Sequence, residues 1–175
     1  MEVTKGKWAN RFIIAAIIQG GIITAIALMI VGIQIIFTQV NIMQFLSLSF
    51  EGPAKWVFIG TIFYLILVVA IAVTAVFYNH LEVNLNKKIA GVSKVLAWIH
   101  IIGMNVGGTG STLLMVFGGL AGSGVLSVFS EGQFGKENIA IMDSFIAPIA
   151  SFIAILAIGV ICGGIGYILA YMSKD

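Results

Sequence analysis

Four long stretches without a charged residue constrain this chain more than any other feature. No Asp, Glu, Lys or Arg occurs in residues 12–50, 56–81, 95–130 or 144–173. A helix that crosses a bilayer needs about 20 predominantly apolar residues, and each stretch is longer than that. Only 9% of the residues are charged, against about a quarter in an average soluble domain. The chain is therefore predicted to be embedded in a membrane.

The predicted architecture is an all-α, integral membrane four-helix bundle that forms a single domain over residues 1–175. Within hydrocarbon the backbone must satisfy its own hydrogen bonds, and the runs lack the alternation of barrel strands, so helices are expected. The first run is too long for the apolar region of a cleaved signal peptide, which has about 7–15 residues. The predicted spans are Phe12–Phe37, Trp56–Asn79, Val95–Leu120 and Phe145–Tyr171.

Basic residues are unevenly distributed between these spans. Seven lie in the two terminal segments and the loop between the second and third spans, whereas two lie in the other loops. Since cytoplasmic segments carry the excess of Lys and Arg, both termini are predicted to be cytoplasmic in a multi-pass protein of the cell membrane. The net charge of +2 is too small to suggest a nucleic-acid partner. The seven are Lys5, Lys7, Arg11, Lys87, Lys88, Lys94 and Lys174, and the two are Lys55 and Lys136.

Two connecting segments differ from short polar loops. Residues 42–48, with Phe50, are too few to cross a bilayer and too apolar to be freely solvated. They are expected to lie along the membrane surface or against a partner. The glycine-rich residues 122–143 are predicted to be an ordinary connecting loop, with a partner-binding segment as the alternative. Residues 124–134 show no strong helical pattern.

The predicted spans contain no Asp, Glu, Lys or Arg. Transmembrane proton relays and ion pumps usually depend on such residues, so a self-sufficient proton-coupled transporter is not expected. The remaining polar side chains include Gln19, Gln34 and Asn105, which are expected to bond to other helices. This small inventory is typical of a chain that packs against other helices rather than one that encloses a hydrated path.

The two histidines are the candidate cofactor-binding residues. His100 lies inside the third span, where a neutral imidazole can ligate heme iron or copper. His80 lies at the end of the second span, close to Glu82. One histidine does not make a metal site. Hydrogen bonding of His100 across a helix interface, and solvation of His80 or its pairing with Glu82, are therefore the competing interpretations. Cys162, the single cysteine, is predicted to be a packing residue.

Small residues recur along one face of the third span, the face that also holds His100. Small side chains every four residues let membrane helices approach closely. The sequence around residues 107–112 lacks the lysine and the strand context of a phosphate-binding loop, so that interpretation is excluded. The predicted helix-packing residues are Gly103, Gly107, Ser111, Gly118 and Gly122, with Gly159, Gly163 and Gly166 of the last span as their counterpart.

From Tyr78 onward, the order of features resembles the C-terminal part of the catalytic subunit of heme–copper oxidases. The spacing between the last two glycine-containing elements is about one helical turn longer than in a typical oxidase. The matching elements are Tyr78-Asn79-His80-Leu81, the basic loop with Lys87, Lys88 and Lys94, Ile102-Gly103-Met104-Asn105, Gly118-Gly119-Leu120-Ala121-Gly122, and a last apolar span with Pro148 near its start.

The chain departs from this family where the family holds its hemes. In oxidases the span before the basic loop begins with a His-x-His pair that ligates the two hemes, whereas this chain reads Thr61-Ile62-Phe63-Tyr64. The copper-binding histidines and the cross-linked tyrosine of the family would lie on spans that this chain does not have. The resemblance therefore implies a truncated, ligand-free relative that performs no oxygen chemistry.

Three hypotheses about function follow. In the first, the chain is a non-catalytic membrane subunit of a multi-subunit respiratory redox complex of the heme–copper oxidase type. It would contact lipid and other membrane subunits and bind no cofactor alone, while heme or copper would belong to the complex. In the second, His100 ligates a b-type heme or a copper ion and the chain carries electrons. In the third, it is an accessory subunit of another membrane metalloenzyme, such as a copper membrane monooxygenase.

Overall fold

The computed structural model describes residues 6–48 and 52–173, which form helices joined by short connections. The prediction of an all-helical chain is confirmed, since the described residues contain no strand. Of the residues discussed above, Lys5, Phe50 and Lys174 lie outside the described residues. The α-helices are α1 (Lys7–Ile36), α2 (Ile42–Leu48), α3 (Ala54–Asn79), α4 (Gly91–Ile102), α5 (Thr109–Gly122), α6 (Val128–Glu131) and α7 (Ile139–Met172).

Four continuous helices are long and apolar enough to cross a membrane, which confirms the predicted number of apolar helices. Two of them contain π-helical turns: His80–Asn84 extends α3, and Gly103–Gly108 joins α4 to α5. Turns of this kind often occur at functional positions. The four continuous helices are Lys7–Ile36, Ala54–Asn84, Gly91–Gly122 and Ile139–Met172.

The helices extend beyond the predicted spans. The last begins at Ile139, six residues before Phe145, and the first begins at Lys7, five residues before Phe12. The predicted bounds followed the uncharged runs. A helix continues through a charged residue such as Asp143 because its stabilising hydrogen bonds join backbone groups, whatever the side chain.

Contacts divide the described residues into two compact units. The first unit comprises residues 6–20, 66–109 and 152–173, and the second comprises residues 21–48, 52–65 and 110–151. Each unit contains one segment of each of the four long helices. Each also has its own apolar core.

Buried aromatic and aliphatic side chains form the core of the first unit. Phe12 of α1 is fully buried and stacks on Tyr78 of α3, with ring centroids 4.9 Å apart. Ile71 of α3 and Ala97 of α4 are also fully buried in this cluster. The core of this unit is therefore held by close contacts among aromatic and aliphatic side chains of several helices.

Glu82 caps the N-terminus of α1. Its Oε2 accepts hydrogen bonds from the backbone N–H groups of Trp8, at 2.9 Å, and Ala9, at 3.2 Å. Helix α1 has no acidic residue in its own first turn. The π-helical turn His80–Asn84 therefore places a carboxylate at the positive end of α1, where a negative charge is stabilising.

Replacing Glu82 with alanine is expected to lower the free energy of unfolding by about 0.5–2 kcal/mol, the usual range for loss of a cap. Trp8 and Ala9 are each only 3% exposed, so water is a poor substitute for the lost carboxylate. Thermal unfolding of the purified protein, followed by circular dichroism, measures the change. The variant Glu82→Gln keeps an acceptor and should lose less. An unchanged melting temperature for Glu82→Ala would show that the cap contributes nothing.

The second unit contains both segments that the sequence left without a defined structure. Residues 42–48 form α2, and its Ile42 and Leu46 are buried in the core of the unit, whereas its Met43 is exposed. Gln34 of α1 fixes the connection: its Nε2 donates to the Val40 carbonyl oxygen at 2.9 Å, and its Oε1 accepts from the Met43 N–H at 3.2 Å.

Residues 124–134, whose sequence shows no strong helical pattern, contain two short helical segments. Val125–Ser127 form a 3-10 turn, and Val128–Glu131 form α6, which ends at Gly132. Val125 and Val128 are buried in the core of the second unit. So short a helix has no periodicity to detect, and tertiary packing of its valines supplies the stability that its length cannot.

Candidate functional site

His100 of α4 is held on several sides within the first unit. Its ring centroid lies 5.2 Å from that of Phe12 and 6.0 Å from that of Tyr78. Its Nδ1 lies 3.3 Å from the Tyr78 hydroxyl oxygen, within hydrogen-bond distance. Gly163 of α7 contacts the ring so closely that a Cβ at this position would overlap it. The side chain is 8% exposed, so the imidazole is both buried and fixed in orientation.

A cleft of about 460 Å³ adjoins the imidazole. Its polar side chains are His100, Thr74 and two tyrosines, and the rest of its lining is apolar. Thr74 is already engaged, since its hydroxyl donates to the Ala70 carbonyl oxygen at 2.8 Å. The sequence did not predict this cleft. Its lining residues are Thr74, Phe77, Tyr78, His100, Val160, Gly163, Gly164, Tyr167 and Ile168.

Gly103 and Gly107, two of the predicted packing glycines of the first unit, lie at close approaches between backbones. A Cβ added at Gly103 would lie 2.6 Å from the Cα of Gly159. A Cβ added at Gly107 would overlap the backbone of Leu156. At Gly166 an added Cβ would lie 2.9 Å from the side chain of Leu96. The residues from α4 into its π-helical turn therefore approach α7 at distances that a side chain would prevent.

The remaining members of the predicted series belong to the second unit and meet side chains. A Cβ at Gly118 would lie 3.2 Å from the ring of Phe145, and one at Gly122 would lie 2.6 Å from the side chain of Met142. Ser111 is buried at 5% exposure. Because a side chain can move aside more easily than a backbone, these positions are less restrictive than Gly103 and Gly107.

A chain of hydrogen bonds joins α1 to the segment around the π-helical turn in the first unit. The Thr109 hydroxyl donates to Gln19 Oε1 at 3.0 Å, and Gln19 Nε2 donates to Asn105 Oδ1 at 2.8 Å. Asn105 Nδ2 donates in turn to the Ile101 carbonyl oxygen at 2.8 Å. Across the described residues, no fully buried side-chain nitrogen or oxygen lacks a partner. The bonds of Gln19 therefore join α1 to the segment around the π-helical turn.

His80 lies in a different environment from His100. It is exposed, and the Asn84 side-chain amide lies 3.2 Å from its Nδ1. The hydrogen bonds that Glu82 accepts come from the first turn of α1 and not from His80. His80 is not part of the lining of the cleft beside His100. Cys162 is a half-buried free thiol.

These residues do not fit a heme held by two imidazoles or a copper site with several histidines. The two histidines have different hydrogen-bond partners, and only His100 lines the cleft. Within residues 6–48 and 52–173, no group of three or more His, Cys, Asp or Glu side chains could hold a metal ion. At most, His100 could supply one ligand to a cofactor that another chain also holds.

Basic side chains gather around a second cavity of the first unit, with a volume of about 670 Å³. The guanidinium carbon of Arg11 lies 4.4 Å from the ring centroid of Trp8 and 4.6 Å from that of Trp98, in cation–π geometry. Lys87 Nζ donates to the Ser173 carbonyl oxygen at 2.6 Å. The basic residues that line this cavity are Lys7, Arg11, Lys87, Lys88 and Lys94.

No family model, curated protein or solved structure matches this chain. The resemblance to heme–copper oxidases therefore rests on the sequence elements named above. In the structure, the element Ile102-Gly103-Met104-Asn105 spans the junction of α4 and its π-helical turn. The element Gly118-Gly119-Leu120-Ala121-Gly122 forms the last part of α5.

Proposed function

We propose that the chain is a non-catalytic membrane subunit that packs within a multi-subunit respiratory redox complex of the heme–copper oxidase type. The observation that carries this proposal is the hydrogen bonding of its buried polar side chains. Gln19, Asn105 and Thr109 bond to one another and to the backbone, as expected of groups that join helices. The sequence resemblance supports the oxidase type.

Exposed apolar faces support the membrane setting and the presence of partners. Ile17 and Ile36 of α1 are 68% and 74% exposed, and Ile161 of α7 is 61% exposed. Single exposed apolar residues are normal in soluble proteins, but contiguous apolar faces mark contact with a membrane or a partner. In a bilayer these faces contact lipid or the helices of other chains.

Both termini are proposed to be cytoplasmic in a four-span arrangement within the cell membrane. The five basic residues around the second cavity come from the N-terminal segment and from the loop between the second and third spans. Lys55 and Lys136 are the only basic residues in the other two loops. This asymmetry supports placing the basic cavity on the cytoplasmic side.

Cysteine labelling in intact cells tests the topology. In a Cys162→Ser background, Lys87→Cys is expected to react with a membrane-impermeant maleimide only after the cells are opened. Glu131→Cys is expected to react in intact cells, since it lies between the third and fourth spans. Reaction of both positions from the same side would contradict the four-span arrangement.

Affinity purification of the tagged chain from its native membranes tests the proposed partner. We expect it to co-purify in fixed stoichiometry with a larger membrane chain that contains heme, giving an oxidase-type absorption spectrum. Co-purification with the chains of a copper monooxygenase would instead favour the third hypothesis. Recovery of the chain alone, in a mild detergent that keeps other membrane complexes intact, would contradict the proposal.

A second candidate function, ligation of a shared cofactor by His100, is favoured by one observation. The Nε2 atom of His100 is the ring nitrogen that Tyr78 does not contact, and His100 lines an open cleft. A neighbouring chain would then have to supply the remaining ligands, since the described residues contain no metal-binding group. Heme and copper contents of histidine variants distinguish the two functions.

A further inference from the structure

The Nε2 atom of His100 has no hydrogen-bond partner among the described residues, although the side chain is only 8% exposed. No fully buried side-chain nitrogen in the described part of the chain lacks a partner, so Nε2 must reach free volume. The free volume beside His100 is the cleft of about 460 Å³ that this residue lines. A buried polar atom facing an apolar cleft is costly unless something bonds to it.

The His100–Tyr78 pair offers a hydrogen-bond donor to the cleft in either tautomer of the imidazole. If the Tyr78 hydroxyl donates to Nδ1, the proton of the neutral ring is on Nε2, which then donates outward. If Nδ1 carries the proton and donates to the Tyr78 oxygen, Nε2 becomes an acceptor and the donor of the pair is the Tyr78 hydroxyl proton. Both residues line the cleft, so a ligand there is best matched by a hydrogen-bond acceptor.

The walls of the cleft are mostly apolar and include aromatic side chains. Phe77 and Tyr167 lie edge to face with ring centroids 6.2 Å apart, and both line the cleft. Gly163 and Gly164 of α7 leave bare backbone on the lining, and a Cβ at Gly164 would meet nothing within 4 Å. Small-molecule sites have volumes of about 300–1,000 Å³ and combine apolar walls with a few polar groups. The cleft has this size and composition.

We propose that this cleft binds a membrane-dissolved quinone. One ring carbonyl would accept a hydrogen bond from the His100–Tyr78 pair, and the ring would lie against Gly164 and the aromatic side chains. The cleft is formed by residues of helices that are apolar enough to cross a membrane, which favours a ligand that is soluble in lipid. The proposal concerns binding alone and holds whichever complex contains the chain.

Equilibrium binding of tritiated decylubiquinone to the full-length chain in lipid nanodiscs tests the proposal, with decylbenzene as a competitor that has a ring but no carbonyl. The variant Gly164→Leu fills the cleft without overlapping the backbone. Its matched control is Gly21→Leu, because Gly21 lies on α1 outside the cleft and also has nothing within 4 Å of an added Cβ. The variant Tyr78→Phe keeps the ring and removes the hydroxyl.

We expect saturable binding that falls at least about tenfold in Gly164→Leu and about tenfold in Tyr78→Phe, with Gly21→Leu within about twofold of the wild type. Decylbenzene should compete poorly. Equal competition by decylbenzene would overturn the proposal by showing an apolar groove for lipid chains. Unchanged binding in Gly164→Leu, or an equal loss in Gly21→Leu, would overturn it by showing that the quinone does not occupy this cleft. Melting temperatures show whether each variant is folded.

Discussion

Replacing Gly107 with leucine is expected to lower the free energy of unfolding by about 3 kcal/mol, the upper end of the usual range for overpacking. A Cβ at this position overlaps the backbone of Leu156, and it would lie 2.8 Å from the Phe152 carbonyl oxygen. Backbone atoms in a helix cannot move aside without breaking hydrogen bonds, so α7 would have to separate from the π-helical turn. Thermal unfolding and size-exclusion chromatography measure the loss of stability and of assembly.

The matched control is Gly32→Leu, the same substitution in α1 at a glycine where an added Cβ meets nothing within 4 Å. It should leave the melting temperature and the elution profile close to those of the wild type. If Gly107→Leu behaved like this control, the close approach of Gly107 to α7 would be wrong, and this face of the third long helix would contact lipid instead.

Replacing Gly124, in the second unit, with alanine is expected to lower the free energy of unfolding by about 2–4 kcal/mol. Two separate effects contribute to this loss. Gly124 has a φ of +73°, in the left-handed region, where an L-residue with a side chain is strained. An added Cβ would also lie 2.5 Å from the Gly135 carbonyl oxygen. The Gly135 N–H donates to the Gly124 carbonyl oxygen at 3.0 Å, so the two glycines cannot separate without losing that bond.

A substitution at Gly132 distinguishes backbone strain from the close contact. Gly132 has a φ of +70°, but an added Cβ there would meet nothing within 4 Å. The variant Gly132→Ala should therefore lose only the free energy of unfolding that backbone strain accounts for, about 1–2 kcal/mol. Chemical unfolding of both variants measures the difference. Equal losses in the two variants would show that the contact between Gly124 and Gly135 does not constrain this segment.

The four long helices could be predicted from the sequence because each coincides with an uninterrupted run without charged residues that is long enough to span a bilayer. The ends of the helices could not be predicted in this way, because a helix can continue through charged residues. Helix α6 was missed for a related reason: its four residues are too few for periodicity, and the burial of Val125 and Val128 depends on residues far away in the sequence.

The candidate site shows the same division between local and distant information. His100 was identified from its residue type and its position within an apolar run. Its hydrogen-bond partner, Tyr78, lies 22 residues away on another helix, and no sequence pattern connects the two. The spacing of Gly163 indicated close packing but not that the imidazole would be the group it contacts. The cleft itself is lined by bare backbone at Gly164 and by larger side chains from three helices.

Glu82 is a further case in which distant residues decide the role of a side chain. From the sequence it was a possible partner for His80, two residues away. In the structure its carboxylate accepts bonds from Trp8 and Ala9, more than 70 residues earlier in the chain. The π-helical turn that positions it has no recognisable sequence pattern, so this cap could not have been predicted.

The heme and copper contents of the purified complex test the proposed non-catalytic role most directly. The complex would be isolated through a tag on this chain, in the wild type and in the variants His100→Ala and His80→Ala. Heme would be measured by the pyridine hemochromogen spectrum and copper by mass spectrometry, each per assembled complex. A structural subunit predicts the same heme and copper per complex in all three proteins. Loss of one heme or one copper in either variant, with assembly intact, would contradict that role and establish the histidine as a ligand.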